Sequence, residues 1–118
     1  MAELILTSTR DNTSNAWFTV NPNTINSFTP DERTVLIDSK KIMDELPGLI
    51  SSQISEISDS VRKIVYTFDT FENANSAMIQ LKRMMTDETS PLYKRKEILL
   101  NKQSRMGQNI TTVVSVTS

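Results

Sequence analysis

Two absences limit the chemistry open to this 118-residue sequence, which contains neither cysteine nor histidine. Without cysteine there are no disulfides, thiol nucleophiles, thiolate metal sites or iron–sulfur clusters. Without histidine the sequence lacks the side chain most used for proton transfer near neutral pH and the commonest transition-metal ligand. His-dependent catalytic triads, His-ligated haem and His-based zinc sites are therefore excluded, and any catalysis would rely on Asp, Glu, Lys, Arg, Tyr, Trp and amide side chains.

Three of the remaining side chains stand out as candidates for binding. Trp17 is the only tryptophan, and a packing role over one end of the core is favoured over stacking on a ligand, because aromatic side chains mostly bury area. Tyr66 lies in an apolar stretch, where a core tyrosine is the default interpretation and a hydroxyl donor in a pocket is the alternative. Arg10 is the last residue of a β-rich stretch, and a surface ion pair is favoured there over an anion-binding role.

The other charged residues have structural interpretations. One basic cluster is best explained as a solvated helix face rather than a phosphate-binding stripe; its members are Lys94, Arg95, Lys96, Lys102 and Arg105. The acidic pairs at 31–32 and 87–88 suit helix caps or turns. Because no Gly-rich loop and no metal-ligand spacing occurs, we expect no metal and no cofactor.

Composition is typical of one globular domain covering residues 1–118, with 37% hydrophobic and 23% charged residues. The net charge of −1 gives no attraction to nucleic acid or anionic membranes. The sequence has no apolar run of about 18 residues, and its first ten residues, "MAELILTSTR", lack the features of a signal peptide. We therefore predict a cytoplasmic protein.

The first half of the chain begins with a β-rich stretch at 3–10, which places Leu4 and Leu6 on one face. A second short extended stretch at 16–20 either pairs with it as a hairpin or continues it after an interruption. "TPDE" at 29–32 forms a capping box with proline at the first helical position, and the helix that it starts should end at Leu46, before Pro47-Gly48.

The segment "DELPGLISSQISEIS" at 44–58 fits either a continued helix or a new strand. Its isoleucines approach helical spacing, but Pro47-Gly48 breaks a helix and the following serines are poor helix formers. We predict a strand over 49–57. Ile57 falls out of step with Ile50 and Ile54, which indicates a bulge or the end of pairing.

The second half of the chain begins with "VRKIVYTF" at 61–68, which has apolar residues on both faces and should be a central strand. A helix capped by Asp69 or Thr70 follows, then a third helix from Ser90-Pro91 to Gly107 and a last strand at 109–117. The predicted fold is α+β: a ferredoxin-like βαββαβ domain with a four-stranded antiparallel sheet, helices on one face and an extra helix before the last strand.

The sheet face that carries no helices can be compared with the RNA-binding surface of a known family. The stretch "RKIVYTFDTFENANSAM" at 62–78 resembles the third strand and second helix of an RNA-recognition motif. In that family aromatic side chains on the open face stack on bases. Here Lys63, Val65 and Ile5 occupy those positions, so RNA binding is the least favoured function.

That open face should instead be covered by protein. Its residues are small or β-branched and mostly uncharged, which makes a poor surface to leave in water. We expect a homodimer formed sheet on sheet about a two-fold axis. The residues predicted to meet across it are Ile5, Thr7, Val65, Thr67, Val113 and Ser115.

Over residues 29–117, the order of elements resembles the antibiotic-biosynthesis-monooxygenase-like group of dimeric α+β barrels. The residues that carry this resemblance are Leu46-Pro47-Gly48 and the strand end and helix start at Phe68, Phe71 and Glu72. It implies a sheet-to-sheet dimer with a ligand cleft between the sheet and the helices of each subunit. The chain departs from the haem-degrading members, which use a histidine to hold iron.

The resemblance leaves open the cofactor-free branch that oxidises aromatic polyketides to quinones, whose sites rely on Asn, Trp, Tyr and Arg. In such a site Trp17 and Tyr66 would position the substrate, whereas Arg10 and Asn15 would stabilise developing negative charge. We therefore expect a small-molecule-binding protein with monooxygenase-like activity on an apolar or aromatic substrate. The alternative is a non-catalytic dimeric module for ligand binding or assembly.

Overall fold

The computed structural model describes residues 1–11, 20–105 and 110–118 of the chain. Within these residues, three α-helices and four strands follow one another in the predicted order, with one turn of 3-10 helix at Ile25–Ser27 before the first α-helix. The elements are β1 (Ala2–Arg10), α1 (Pro30–Asp44), β2 (Leu49–Glu56), β3 (Val61–Phe68), α2 (Phe71–Met84), α3 (Pro91–Arg105) and β4 (Ile110–Thr117). The extended stretch predicted at 16–20 lies outside the described residues except for Val20, and so does the helix end predicted at Gly107.

The four strands form one antiparallel sheet in the order β2-β3-β1-β4. This order confirms the ferredoxin-like prediction, in which the first and third strands occupy the centre of the sheet. It also confirms β3 as a central strand. The extra helix α3 lies between α2 and β4, as the sequence predicted.

The segment at 44–58 is a helix end followed by a strand. Helix α1 stops at Asp44, and Gly48 adopts the left-handed conformation with φ of 80° just before β2 begins at Leu49. Glycine suits this position because it has no Cβ to clash there. The pairing of β2 with β3 ends at Glu56, which explains why Ile57 does not continue the spacing of Ile50 and Ile54. The register shift in this pairing lies elsewhere, between Leu49 and Ser51.

The helix starts follow the predicted capping chemistry. The Thr29 hydroxyl accepts from the Glu32 amide at 3.2 Å, and the Glu32 carboxylate accepts from the Thr29 amide at 2.9 Å. Thr70 caps α2, because its hydroxyl accepts from the Asn73 amide at 3.1 Å. The Ser90 hydroxyl accepts from the Leu92 amide at 3.2 Å, ahead of Pro91 at the start of α3.

Alternation along the strands separates a core face from an open face. Leu4 is paired with Tyr66 and Val116, and all three side chains belong to or pack against the buried core beneath the helices. Ile5, next in the chain, is paired with Val65 and Ser115 on the opposite face. The predicted side-chain orientation is therefore confirmed for both faces.

The helices do not cover the sheet evenly. Helix α2 lies directly on β1, β3 and β4, and its buried Ala74 and Ala77 allow this close approach. Helix α1 packs mainly against α3 instead of the sheet. None of the helices in the described residues is long and apolar enough to cross a membrane.

Candidate functional site

A cleft of about 370 Å³ lies between the sheet and the α1–α3 pair. Its volume falls within the range of about 300–1,000 Å³ typical of ligand pockets. The space exists because α2 packs closely on one part of the sheet, whereas α1 packs against α3 and leaves the sheet below it uncovered. Apolar side chains from both layers form most of its lining: Leu6, Val20, Leu36, Met43, Ile54, Ile64, Leu81, Met85, Leu92, Leu99, Leu100 and Ile110.

Strand β3 and helix α3 bring four polar side chains to this cleft: Arg62, Tyr66, Arg95 and Lys96. Arg62 and Tyr66 stand on the core-facing side of β3, with Ile64 between them, because alternate residues of a strand share a face. Arg95 comes from α3, between Leu92 and Leu99, at the three- and four-residue spacing that puts side chains on one side of a helix.

The two arginines carry positive charge into a partly desolvated site. Burial lowers the pKa of Arg95, an effect that the nearby Tyr66 opposes. Burial also lowers the pKa of Arg62; the charge of Glu56 opposes this, and the charges of Arg95 and Arg10 reinforce it. Both guanidinium groups nevertheless stay protonated at neutral pH, because the ordinary pKa of arginine lies so far above it.

Arg95 lacks a protein counterion within residues 1–11, 20–105 and 110–118. No carboxylate of these residues lies within ion-pair distance of its guanidinium, and none of their atoms forms a hydrogen bond with it. Arg95 is half-buried, and a guanidinium that is partly removed from water is poorly stabilised without such partners. The Arg95 side chain is therefore free to bind a negatively charged group in the cleft.

Tyr66 provides a neutral hydroxyl beside Arg95. Burial raises the pKa of Tyr66, Arg95 and Lys40 lower it, and Asp44 raises it. The hydroxyl therefore keeps its proton at neutral pH and is able to donate or accept a hydrogen bond. In the part of the chain that the structure describes, it makes no hydrogen bond to protein, so this capacity is available to a ligand.

The remaining charges at the cleft are already engaged. Lys40 and Asp44, one helical turn apart on α1, form a salt bridge. The Lys96 ammonium donates to the Met85 carbonyl at 3.4 Å and lies 4.9 Å from the centre of the Tyr93 ring. Among the cations that line the cleft, Arg95 is therefore the one for which the described residues provide no partner.

Of the two sequence-predicted site residues that the structure describes, Tyr66 and Arg10, it brings Tyr66 into the cleft. Tyr66 lines it, whereas Asn15 and Trp17 lie outside the described residues. Arg10 is buried, at 7% exposure, and its Nε donates to the Asp59 carbonyl at 2.6 Å. It therefore holds the turn between β2 and β3 next to the cleft, and the expectation of an exposed side chain was wrong.

Sequence reasoning missed Arg62 and Arg95. The basic cluster was interpreted as a solvated helix face, which suits the exposed Lys94 but is wrong for Arg95. The signal was present in the spacing of Leu92, Arg95 and Leu99, which puts an arginine on the apolar side of its helix. Arg62 alternates with Ile64 and Tyr66, so the sequence also indicated that Arg62 lies on the core-facing side of β3.

No protein-family model matches this chain, and no curated protein matches it either. The residues that carry the resemblance to dimeric α+β barrels lie away from the cleft. The Gly48 carbonyl accepts from the Asp69 amide at 3.0 Å, and Phe68 is fully buried beside this contact. These residues link the turn before β2 to the start of α2, so their role is structural.

Proposed function

We propose that the protein binds a small, largely apolar or aromatic molecule in the cleft between the sheet and the α1–α3 pair. One observation carries this proposal: the apolar cleft contains a tyrosine hydroxyl and a guanidinium that the described protein leaves without hydrogen-bond partners. A mostly apolar lining with a few convergent polar groups is the usual composition of a ligand site.

The catalytic form of this proposal is a monooxygenase-like oxidation that uses neither metal nor haem. A ring CH₂ group of an aromatic substrate would react with dioxygen, so that one oxygen atom forms the new carbonyl and the other leaves as water. The substrate supplies all four electrons. Tyr66 would donate to a substrate oxygen, and Arg95 would stabilise the negative charge that develops as the substrate loses a proton. Trp17 remains a positioning candidate, and Asn15 a second charge-stabilising one.

Ligand binding is tested by filling the cleft. Ile64→Trp places a large ring between the strands and α3, and Ile79→Trp puts the same ring on the exposed side of α2. An anthrone, a reduced three-ring aromatic, serves as the probe. We expect saturable anthrone binding that Ile64→Trp abolishes and Ile79→Trp preserves, with circular dichroism showing that both variants fold. Binding that survives Ile64→Trp would contradict the proposal.

Turnover is measured separately, as oxygen consumption coupled to the absorbance of the quinone product. We expect one oxygen molecule consumed per quinone formed, with slower formation in Tyr66→Phe and Arg95→Met. If anthrone binds but no oxygen is consumed, the protein is a binding module and the catalytic form of the proposal fails.

The open face of the sheet supports the second candidate, a non-catalytic dimeric module. Val113 is 61% exposed there, next to the half-buried Ile5 and Val65. A homodimer through this face, in a cytoplasmic protein with no nucleic-acid partner, is part of both proposals. Sedimentation at several concentrations tests it: Val113→Asp should yield monomers, whereas Ile37→Asp, at an equally exposed position on α1, should leave the dimer intact. A wild-type monomer at all concentrations rejects the dimer.

A further inference from the structure

Positive charge is concentrated in the cleft although the chain as a whole is slightly acidic. Four of the lining residues are cationic and one, Asp44, is a carboxylate, while the net charge of the chain is −1. Asp44 is already paired with Lys40, so it does not neutralise the interior. The cleft therefore has an excess of positive charge that the rest of the protein does not share.

Arg62 and Arg95 are close enough for the charge of one to act on the other. The charge of Arg95 helps to lower the pKa of Arg62, and burial is the largest cause of the lowered pKa in both. Glu56 offsets part of this unfavourable interaction at Arg62. No carboxylate of the described residues does so at Arg95, so a negatively charged ligand there would relieve both the repulsion and the desolvation.

The rest of the lining is suited to hydrocarbon. Leu6 and Ile64 rise from the sheet, and Leu36, Met43 and Leu99 face them from α1 and α3. A small inorganic anion would leave these walls unfilled. A neutral apolar ligand would fill them but would leave the Arg95 guanidinium desolvated and without a partner.

We infer that the ligand of this cleft is a free anionic amphiphile, with one carboxylate held between Arg95 and Tyr66 and its hydrocarbon part against the apolar walls. This inference rests on the proposed function, whose ligand class it narrows. A guanidinium binds a carboxylate through two parallel hydrogen bonds, and the tyrosine hydroxyl adds a third donor.

A matched pair of probes separates charge from hydrophobicity. Decanoate and decanol have the same chain length, but only decanoate is charged at neutral pH. By calorimetry at low salt we expect decanoate to bind the full chain about ten- to a hundredfold more tightly than decanol, the usual effect of hydrogen bonds to a charged group. Inorganic phosphate should bind more weakly than decanoate, because it has no hydrocarbon part.

Substitutions in α3 test whether Arg95 causes the preference for decanoate over decanol. Arg95→Met should weaken decanoate binding by about ten- to a hundredfold and leave decanol binding unchanged. Arg95→Lys should restore part of the difference. Lys94→Met removes the neighbouring charge, which is exposed and outside the cleft, and should bind both probes as the wild type does.

Unfolding measurements test whether Arg95 has a purely structural role. Because Arg95→Met removes a desolvated charge, we expect the ligand-free variant to unfold at a higher temperature than the wild type, and decanoate to stabilise the variant less than it stabilises the wild type. Lower stability of Arg95→Met together with unchanged decanoate binding would overturn the inference.

The probe results also separate this inference from the proposal on which it rests. Equal affinities for decanoate and decanol, both abolished by Ile64→Trp, would reject the anionic ligand and retain the binding cleft. Phosphate binding as tight as that of decanoate would reject the amphiphile. If neither decanoate, decanol nor anthrone binds, the proposed function fails together with the inference.

Discussion

The two ends of β3 present the same face of one strand to different environments. At one end Phe68 is fully buried, packed in a core with Leu4 and Ala74. At the other end Arg62 borders the cleft beneath α1 and α3. Backbone pairing is continuous between them, because β1 is paired with β3 over its whole length. The difference therefore arises in the helix layer and not in the sheet.

The helix layer differs between these ends because of side-chain size and charge. Helix α2 brings Ala74 and Ala77 against the sheet, and such small side chains allow helix and sheet to approach closely. Helix α3 presents the half-buried Arg95 between two leucines, and a partly desolvated charge resists close packing. We call the end of β3 at Phe68 the closed end. We infer that it provides much of the stability of the fold, which allows the end at Arg62 to retain a cleft lined with charge.

The largest expected effect is the loss of packing at the closed end. Phe68→Ala should lower the free energy of unfolding by about 3–5 kcal/mol, because it removes a fully buried aromatic ring and leaves a cavity. Phe71→Ala, at 48% exposure, is the matched control and should cost about 1 kcal/mol or less. Chemical denaturation of both variants measures the difference. Equal losses would show that the two phenylalanines contribute alike and that the closed end has no special role.

A smaller effect is expected at the turn that leads into the closed end. Gly48→Ala should destabilise the fold by about 1–2 kcal/mol, because φ is positive there and an added Cβ would collide with the side chains of Asp69 and Asn73. The double variant Gly48→Ala/Asn73→Ala removes one of these collisions and should recover part of the loss in denaturation experiments. An unchanged midpoint for Gly48→Ala would contradict a strained turn.

The smallest effect is expected at Tyr66 in the cleft, and it depends on pH. Burial raises the pKa of Tyr66, so the folded state holds the phenol proton more tightly than the unfolded state does. The resulting stability is fully present at neutral pH and is lost as the pH rises above about 10, the ordinary pKa of tyrosine. Above that pH, the unfolding free energy of the wild type should therefore fall more steeply than that of Tyr66→Phe. Parallel curves would show that the cleft does not desolvate this hydroxyl.

Most of the fold was predictable because its signals are local. The capping box at Thr29, the break at Pro47-Gly48 and the alternation in β3 depend on neighbours within a few residues, and all three are confirmed. The cleft was less predictable, because its shape depends on α1 packing against α3, elements far apart in the chain. Arg95 illustrates the difference: its position on the apolar side of α3 is visible in the sequence, but the open space in front of it is not.

Val65 and Tyr66 are neighbours in the chain, yet one belongs to the open face of the sheet and the other lines the cleft. The two surfaces are thus separated by a single layer of backbone. A fluorophore attached at position 65 would be one residue from a side chain that lines the cleft, so it would report occupancy of the cleft from the far side of the sheet. The same short path makes β3 a direct route by which a bound molecule and the proposed second subunit would influence each other.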